Sequence, residues 1–105
     1  MDQSKKILKR EDIIATLKKH KDILNKYKVK KIGIFGSFVR DEQEEKSDID
    51  FFVEFEDPSF ENFIGLSFFL ENLFGKKVEI LTPPGIESIR IDHVKEEIKR
   101  SIVYV

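Results

Sequence analysis

The sequence predicts one α/β (α+β) domain, in which a small mixed β-sheet of about three strands is backed by helices. Strands are indicated by three short runs rich in apolar residues, at 30–35, 48–55 and 76–81. Helices are indicated by the longer segments between them, in which apolar residues recur every three or four positions. Because the two patterns follow each other along the chain, we expect the sheet and the helices to share one core.

Length and composition are those of a single domain spanning residues 1–105. The chain is 40% hydrophobic with 10 Phe, enough for one core, whereas the mostly polar residues 1–9 are expected to be peripheral. Its 19 Lys and Arg against 20 Asp and Glu give no basic field, which argues against direct nucleic-acid binding. The absence of cysteine excludes disulfides and zinc–thiolate sites. No signal-like or membrane-spanning run is visible, so we expect a soluble cytoplasmic protein.

The first half of the chain is expected to form a helix, a strand and a short second helix. Apolar residues at helical spacing predict one continuous helix over about 10–28. His20 lies in a polar stretch of this segment, so we expect it to face solvent. The strand at 30–35 contains Gly33, which predicts the close approach of a packed helix. A short helix over about 38–43 should follow.

The longest apolar segment predicts a helix over about 59–74, with Ser59 as its N-cap and Gly75 as its C-cap. This helix has more apolar residues than one core-facing stripe needs. Two interpretations therefore stay open. Either the helix is largely buried, or part of it lies in an interface with another subunit, for which the candidates are Leu66, Phe69 and Leu70.

The C-terminal part of the chain follows the third strand. We expect a turn or linker at 82–85, because Pro and Gly are concentrated there. A last helix is predicted over about 92–100, with Ile91 as a candidate inward-facing residue. The tail at 103–105 fits either a short edge strand or a contact with a partner.

A pair of carboxylates in the second strand is the first sign of a functional site. Because side chains alternate along a strand, Asp48 and Asp50 share one face, and the apolar residues of the run share the other. Two carboxylates this close repel each other, and a bound Mg²⁺ would remove that penalty. The pattern alone is weak, because any strand with one solvated face produces it often.

Two further features strengthen this interpretation. Gly36 and Ser37 stand where a strand leads into a helix, and free N–H groups at such a turn suit a phosphate. Glu79, a lone acid in the third strand, would complete a triad of carboxylates if that strand lies beside the second. Arg40 could point toward the phosphates or form an ordinary ion pair with Asp41 or Glu44. Each feature alone has an ordinary structural explanation, and the combination is more specific.

The order of these residues carries a resemblance. Gly36 and Ser37, ten residues, and then Asp48 and Asp50 resemble the signature of the DNA polymerase β-type nucleotidyltransferase superfamily. More narrowly, the run at 34–37, the tail at 103–105 and the compact chain resemble the minimal nucleotidyltransferase (MNT) family. Members of that family are the antitoxins of HEPN/MNT toxin–antitoxin pairs. The resemblance covers nearly the whole chain, from about residue 11 to the C terminus.

The resemblance implies a function and assigns roles to residues. It implies a polymerase β-type nucleotidyltransferase fold and transfer of AMP from ATP to a tyrosine hydroxyl of a cognate HEPN ribonuclease toxin, which silences the toxin. Gly36, Ser37 and Arg40 would bind the nucleotide, and Asp48 and Asp50 would hold two Mg²⁺ ions. Glu79 would be the third catalytic and metal-binding acid, in place of the usual aspartate. Asp41 also departs from the family, in which a glycine often follows the arginine.

Three alternatives stay open at this stage. The protein could be an antitoxin that blocks the toxin by binding alone, because glutamate at position 79 alters the geometry of the second metal. It could modify a small molecule, although such enzymes usually have an additional substrate-binding domain. The acidic pair could also be purely structural. The identity of the acceptor, the number of AMP units and the oligomeric state, including a complex with the toxin, do not follow from the sequence.

Overall fold

The computed structural model describes residues 8–44 and 46–105, and it has the predicted α/β architecture. Because residues 1–7 lie outside the described residues, most of the segment predicted to be peripheral does so too. None of the helices in the described ranges combines the length and apolar character needed to cross a membrane. The elements are, in chain order, α1 (Arg10–Lys19), α2 (Lys21–Lys26), β1 (Val29–Phe35), α3 (Ser37–Arg40), β2 (Ile49–Phe55), α4 (Phe60–Phe74), β3 (Val78–Leu81), α5 (Pro83–Glu87), α6 (Asp92–Ser101) and β4 (Val103–Tyr104).

The sheet is mixed, as predicted, and has the strand order β3-β2-β1-β4. Strand β1 is antiparallel to both of its neighbours, whereas β2 and β3 are parallel. The tail therefore forms an edge strand, which was one of the two alternatives for it, and the sheet has four strands rather than three. Because β2 lies between β1 and β3, residues at the end of β1 and in β3 are brought beside Asp50.

One face of β2 builds the core. Its residues alternate as predicted: Ile49, Phe51 and Val53 are fully buried, and Phe55 is 9% exposed. Against this face pack buried residues of the helices, namely Ile13 and Leu17 of α1, Leu24 of α2, and Leu66 and Leu70 of α4. The opposite face of β2 carries Asp50 and also Phe52, which is 6% exposed, and helix α5 contacts this strand. Helices α5 and α6 follow β3 before the chain returns in β4.

The prediction of one continuous helix over 10–28 is wrong. The helix breaks at His20, whose backbone is non-helical at φ −117° and ψ 32°. Its ring is not turned to solvent as predicted, because Nδ1 lies 2.9 Å from the carbonyl oxygen of Thr16 and the ring packs edge-to-face on Phe69 at 5.8 Å. These contacts fix the direction of α2, which packs against β1.

The burial of individual residues in α4 decides between the two interpretations of this helix, packing in the core or contact with another subunit. Leu66 and Leu70 are fully buried, so they belong to the core rather than to an interface. Phe69 is partly buried and packs against Tyr27 at a ring distance of 6.5 Å. The exposed aromatic residues of this helix are instead Phe60 and Phe68, at 77% and 63% exposure.

Three smaller expectations are also wrong. The predicted turn at 82–85 is the start of helix α5, because proline is well tolerated in the first helical turn, where no intrahelical N–H is needed. The close approach at Gly33 comes from strand β4 and not from a helix, since a Cβ there would lie 2.8 Å from the carbonyl oxygen of Val103. Ile91, proposed as inward-facing, is 56% exposed.

The N-cap of α4 gives a first testable prediction. The Ser59 hydroxyl accepts a hydrogen bond of 3.1 Å from the backbone N–H of Asn62, as the sequence predicts. Replacing Ser59 by alanine should lower the free energy of unfolding by about 1 kcal/mol, because this N–H loses its acceptor. Urea denaturation measures the change. The control, Ser59→Asp, keeps an acceptor and should stay within a few tenths of wild type, and an equal loss in both variants would contradict the role of the cap.

Candidate functional site

Strand pairing places two of the predicted acids side by side. Asp50 of β2 lies opposite Glu79 of the parallel neighbour β3 and opposite Phe35 of the antiparallel neighbour β1. Residues that pair directly across strands project from the same face. Asp50 and Glu79 therefore project together from the face opposite the core. Asp48 comes just before β2, is exposed, and adds a third negative charge near Asp50.

The Gly36–Ser37 turn meets this acidic face directly. Gly36 follows the last residue of β1 and has φ 81° and ψ −148°, a backbone conformation that is essentially restricted to glycine. A Cβ at this position would overlap the Oδ2 atom of Asp50. Helix α3 begins at Ser37, and the first N–H groups of a helix have no partner within it. The turn thus brings free backbone donors next to a carboxylate.

The surroundings of Asp50 perturb its pKa. Partial burial raises the pKa of Asp50, and the charges of Glu79 and Asp48 raise it further, while Arg40 acts in the opposite direction. Arg40, the arginine whose charge lowers the pKa of Asp50, forms its ion pair with Glu42 and not with Asp50. The site therefore gathers three acids, two of which raise the pKa of the third.

Arg40 ends helix α3 at the rim of this site. Its Nε donates a 2.8 Å hydrogen bond to Glu42, so neither Asp41 nor Glu44, the partners considered from sequence, is its ion-pair partner. The side chain is 54% exposed. The hydrogen bond to Glu42 raises the pKa of Arg40, and the charges of Glu97 and Asp50 raise it further. Arg40 is thus close enough to Asp50 to interact with it electrostatically, although its bond goes elsewhere.

The donor set suits a hard cation. Carboxylate oxygens are the ligands that Mg²⁺ prefers, and a bound Mg²⁺ would relieve the repulsion that Glu79 and Asp48 exert on Asp50. In the described ranges, however, no three His, Cys, Asp or Glu side chains are already arranged to hold a metal ion. The residues fit the ion in chemistry, and their side chains would have to converge on it when it binds.

Sequence reasoning missed two residues near this site. The charge of Glu97 of α6 raises the pKa of Arg40. Glu71 of α4 accepts a 3.2 Å hydrogen bond from the N–H of Val78, which fixes the start of the strand that carries Glu79. Both are acids on amphipathic helices, where a charged residue ordinarily only faces solvent. Only the packing of these helices against the sheet distinguishes them, so no local signal could have found them.

A mixed sheet with a Gly-Ser turn against carboxylates on neighbouring strands defines the class of nucleotidyltransferases. The chain belongs to the nucleotidyltransferase domain family, whose model matches residues 17–105. The resemblance to minimal nucleotidyltransferases is thereby confirmed, and so is the nucleotidyltransferase class of enzyme.

Similar proteins and structures agree with this assignment. A proposed protein adenylyltransferase of Methanocaldococcus jannaschii is 45% identical over 98 residues, which cover 90% of this chain and 95% of that protein. Protein adenylyltransferase MntA of Thermococcus cleftensis is 37% identical over 97 residues, covering 90% and 94%. The structure of a proposed minimal nucleotidyltransferase superposes with a TM-score of 0.71 at 24% identity, covering 91% of this chain and 95% of that one. A toxin–antitoxin structure with AMP-PNP has a TM-score of 0.52 at 24% identity, covering 78% and 60%.

Proposed function

We propose that the protein is an adenylyltransferase antitoxin. It transfers AMP from ATP to a tyrosine hydroxyl of a cognate HEPN ribonuclease toxin, and this modification neutralises the toxin. The observation that carries the proposal is the pairing of Asp50 with Glu79 against the Gly36 turn. The names of the relatives as protein adenylyltransferases support the reaction class. The HEPN toxin and the tyrosine come from the family resemblance of the sequence.

In this proposal, the residues of the chain bind and orient the reactants. Backbone N–H groups at Gly36 and Ser37 hold the phosphates of ATP, and Arg40 can turn from Glu42 toward them. Asp48, Asp50 and Glu79 would hold two Mg²⁺ ions, which supply charge neutralisation on the triphosphate and the leaving pyrophosphate. The acceptor oxygen forms a bond to the α-phosphorus, and the bond from that phosphorus to the β-phosphate oxygen breaks. The hydroxyl proton passes to Glu79 or to water.

A protein is the acceptor that fits this small domain. The matched relatives are covered over 94–95% of their own length, so the resemblance extends to whole proteins of this kind. The described elements form one four-stranded sheet with its helices, and in this proposal the acceptor protein supplies its own docking surface. ATP, Mg²⁺ and such a toxin are available together in the cytoplasm, which is where we propose that the protein acts.

One observation favours a second candidate function, neutralisation by binding alone. No three acidic side chains in the described ranges are pre-arranged as metal ligands, and Glu79 is exposed on an edge strand. If the acids did not converge around Mg²⁺, the protein could still mask the toxin without modifying it.

Intact-mass spectrometry of the toxin distinguishes these functions. The toxin encoded next to this protein, incubated with the protein, ATP and Mg²⁺, should gain the mass of one or more AMP units. The control, Asp48→Asn/Asp50→Asn, should slow the gain by at least about 10²–10³-fold, because the negative oxygens needed for the metal are removed. A stable complex without any mass gain would instead establish binding alone.

Glu79 is tested by two matched variants. Glu79→Gln keeps the size of the side chain but removes its charge, so the rate of AMP transfer should fall by about 10–10²-fold. Glu79→Asp keeps the charge on a shorter side chain and should retain more activity than Glu79→Gln. Single-turnover transfer to the toxin measures both rates. Equal rates for wild type and Glu79→Gln would exclude Glu79 from the metal and base roles.

A further inference from the structure

A basic hollow lies at the end of β1 that is distant from Gly36. Its volume is about 400 Å³, and it opens beside the edge strand β4. The apolar part of its lining comes from Leu24, Val29 and Ile32, which are buried or partly buried. Exposed lysines surround this apolar floor, and Tyr104 forms one wall. We call this feature the lysine hollow, after Lys21, Lys30 and Lys31.

The charges around the lysine hollow are only partly compensated. Lys30 lies 3.7 Å from the carboxylate of Glu54. In the part of the chain that the structure describes, neither Lys21 nor Lys31 has a carboxylate at ion-pair distance. The ammonium group of Lys31 stands 5.8 Å from the centre of the Tyr104 ring. Two positive charges therefore face solvent at this end of β1. Because side chains alternate along the strand, Lys31 projects from the acidic face, whereas Ile32 projects into the core.

Tyr104 connects the lysine hollow to the acidic face. Tyr104 of β4 pairs with Gly33 of β1, and Gly33 pairs with Phe52 of β2. Phe52 is two residues from Asp50, so the side chains of Tyr104 and Phe52 project from the same face of the sheet as Asp50. A second hollow of about 260 Å³ is lined by Phe52, Ile86 and Tyr104. Ideal strand spacings put the Cα atoms of Asp50 and Tyr104 about 12 Å apart, a span of about four extended residues. A polypeptide could therefore run from the acids over Tyr104 into the lysine hollow.

We propose that the lysine hollow and Tyr104 form the docking surface for an acidic segment of the acceptor protein. Carboxylates of that segment lie against Lys21 and Lys31, and a neighbouring apolar side chain packs against the ring of Tyr104, which is 51% exposed. This inference rests on the proposed function, because it names how that function's acceptor is held. A protein fits better than a nucleic acid, since the chain's net charge is −1 and gives no basic field for a phosphate backbone.

Charge reversal tests the docking surface. In Lys21→Glu/Lys31→Glu, the KM for the toxin should rise by about tenfold or more while kcat at saturating toxin stays within about twofold, because docking is lost but the acids are untouched. The dissociation constant for the toxin, measured by calorimetry, should rise by a similar factor. Salt should weaken wild-type binding more than binding by the variant, because the lost contacts are ionic.

Two further double variants control for the change in net charge and for charge reversal. Lys18→Glu/Lys19→Glu makes the same charge change on the exposed face of α1, outside the hollow, and should leave KM within about twofold. Lys21→Gln/Lys31→Gln removes the charges without reversing them and should give an intermediate KM. Thermal unfolding of each variant shows whether it is folded.

The outcomes separate this inference from the proposed function. If wild type binds the toxin but transfers no AMP, the proposed reaction fails, and the calorimetric comparison still tests docking. An unchanged toxin affinity in Lys21→Glu/Lys31→Glu would overturn the docking surface while leaving transfer intact. Absence of toxin binding by wild type would overturn it as well. Binding of a 20-nucleotide poly(U) RNA by wild type, lost in the charge-reversed variant, would reassign the hollow to nucleic acid.

Discussion

Replacing Asp50 by asparagine is expected to abolish nucleotidyl transfer and, at the same time, to stabilise the metal-free protein at neutral pH. The loss of activity should be at least about 10²–10³-fold, because Asp50 is the most central of the three acids that would hold the metal. The gain in stability follows from the raised pKa of Asp50, which shows that burial and the charges of Glu79 and Asp48 disfavour its ionised form in the folded state.

The pH dependence of stability has a definite sign. Because the pKa of Asp50 is higher in the folded state than its ordinary value of 3.8, the folded protein binds more protons between these two values. The contribution of Asp50 to stability is therefore fully present below 3.8 and is lost as the pH rises through the folded pKa. Asparagine does not titrate, so the variant should lack this loss.

Thermal unfolding in EDTA from pH 4 to pH 8 measures the effect. The melting temperature of Asp50→Asn relative to wild type should increase as the pH rises, and adding Mg²⁺ and ATP should stabilise wild type more than the variant. Asp57→Asn is the control, because this exposed carboxylate is remote in sequence from Asp50 and Glu79. The melting temperature of Asp57→Asn relative to wild type should therefore not change with pH. If Asp50→Asn were less stable than wild type at pH 8 without metal, the prediction that the ionised carboxylate of Asp50 destabilises the folded protein would be wrong.

Much of the site could be predicted from local pattern. The alternation in β2 predicts the core face of Ile49, Phe51, Val53 and Phe55, and so places Asp50 on the other face. It does not predict that Phe52, on the face of Asp50, is buried too. Ser59 and Gly75 mark the ends of α4 because their capping chemistry is local. The placement of Glu79 needed one further assumption, that β3 pairs with β2, and the strand pairing bears it out.

The errors arose where contacts distant in sequence override local preference. His20 ends a helix that the apolar spacing alone would continue, because its ring bonds Thr16 and packs on Phe69 of α4. Leu66 and Leu70 could not be told from interface residues, since burial depends on which face of the helix meets the sheet. The neighbour of Gly33 was assigned to a helix because nothing local indicates that the C-terminal tail returns to pair with β1.

Gly36 should be the most sensitive backbone position in the protein's site. Gly36→Ala introduces a Cβ at φ 81° and ψ −148°, a region that costs a non-glycine residue about 1–3 kcal/mol. The same Cβ would overlap Oδ2 of Asp50, so the carboxylate or the turn must move. We expect a loss of at least about 2 kcal/mol in the free energy of unfolding and near-complete loss of ATP binding.

Two matched variants separate backbone strain from displacement of Asp50. Gly75→Ala also places alanine at positive φ, 64°, but nothing lies within 4 Å of its Cβ, so it should cost only about 1 kcal/mol. Removing the Asp50 side chain is itself expected to be stabilising, so Gly36→Ala/Asp50→Ala is compared with Asp50→Ala alone. Gly36→Ala should cost less stability in the Asp50→Ala background than in wild type, without recovering activity. Urea denaturation and calorimetric titration with ATP and Mg²⁺ measure both effects. Equal destabilisation by Gly36→Ala and Gly75→Ala, with ATP binding intact, would mean that the contact between the turn and Asp50 is incidental. A larger loss at Gly36 that becomes smaller in the Asp50→Ala background would instead show that this turn and this carboxylate are held in place by each other.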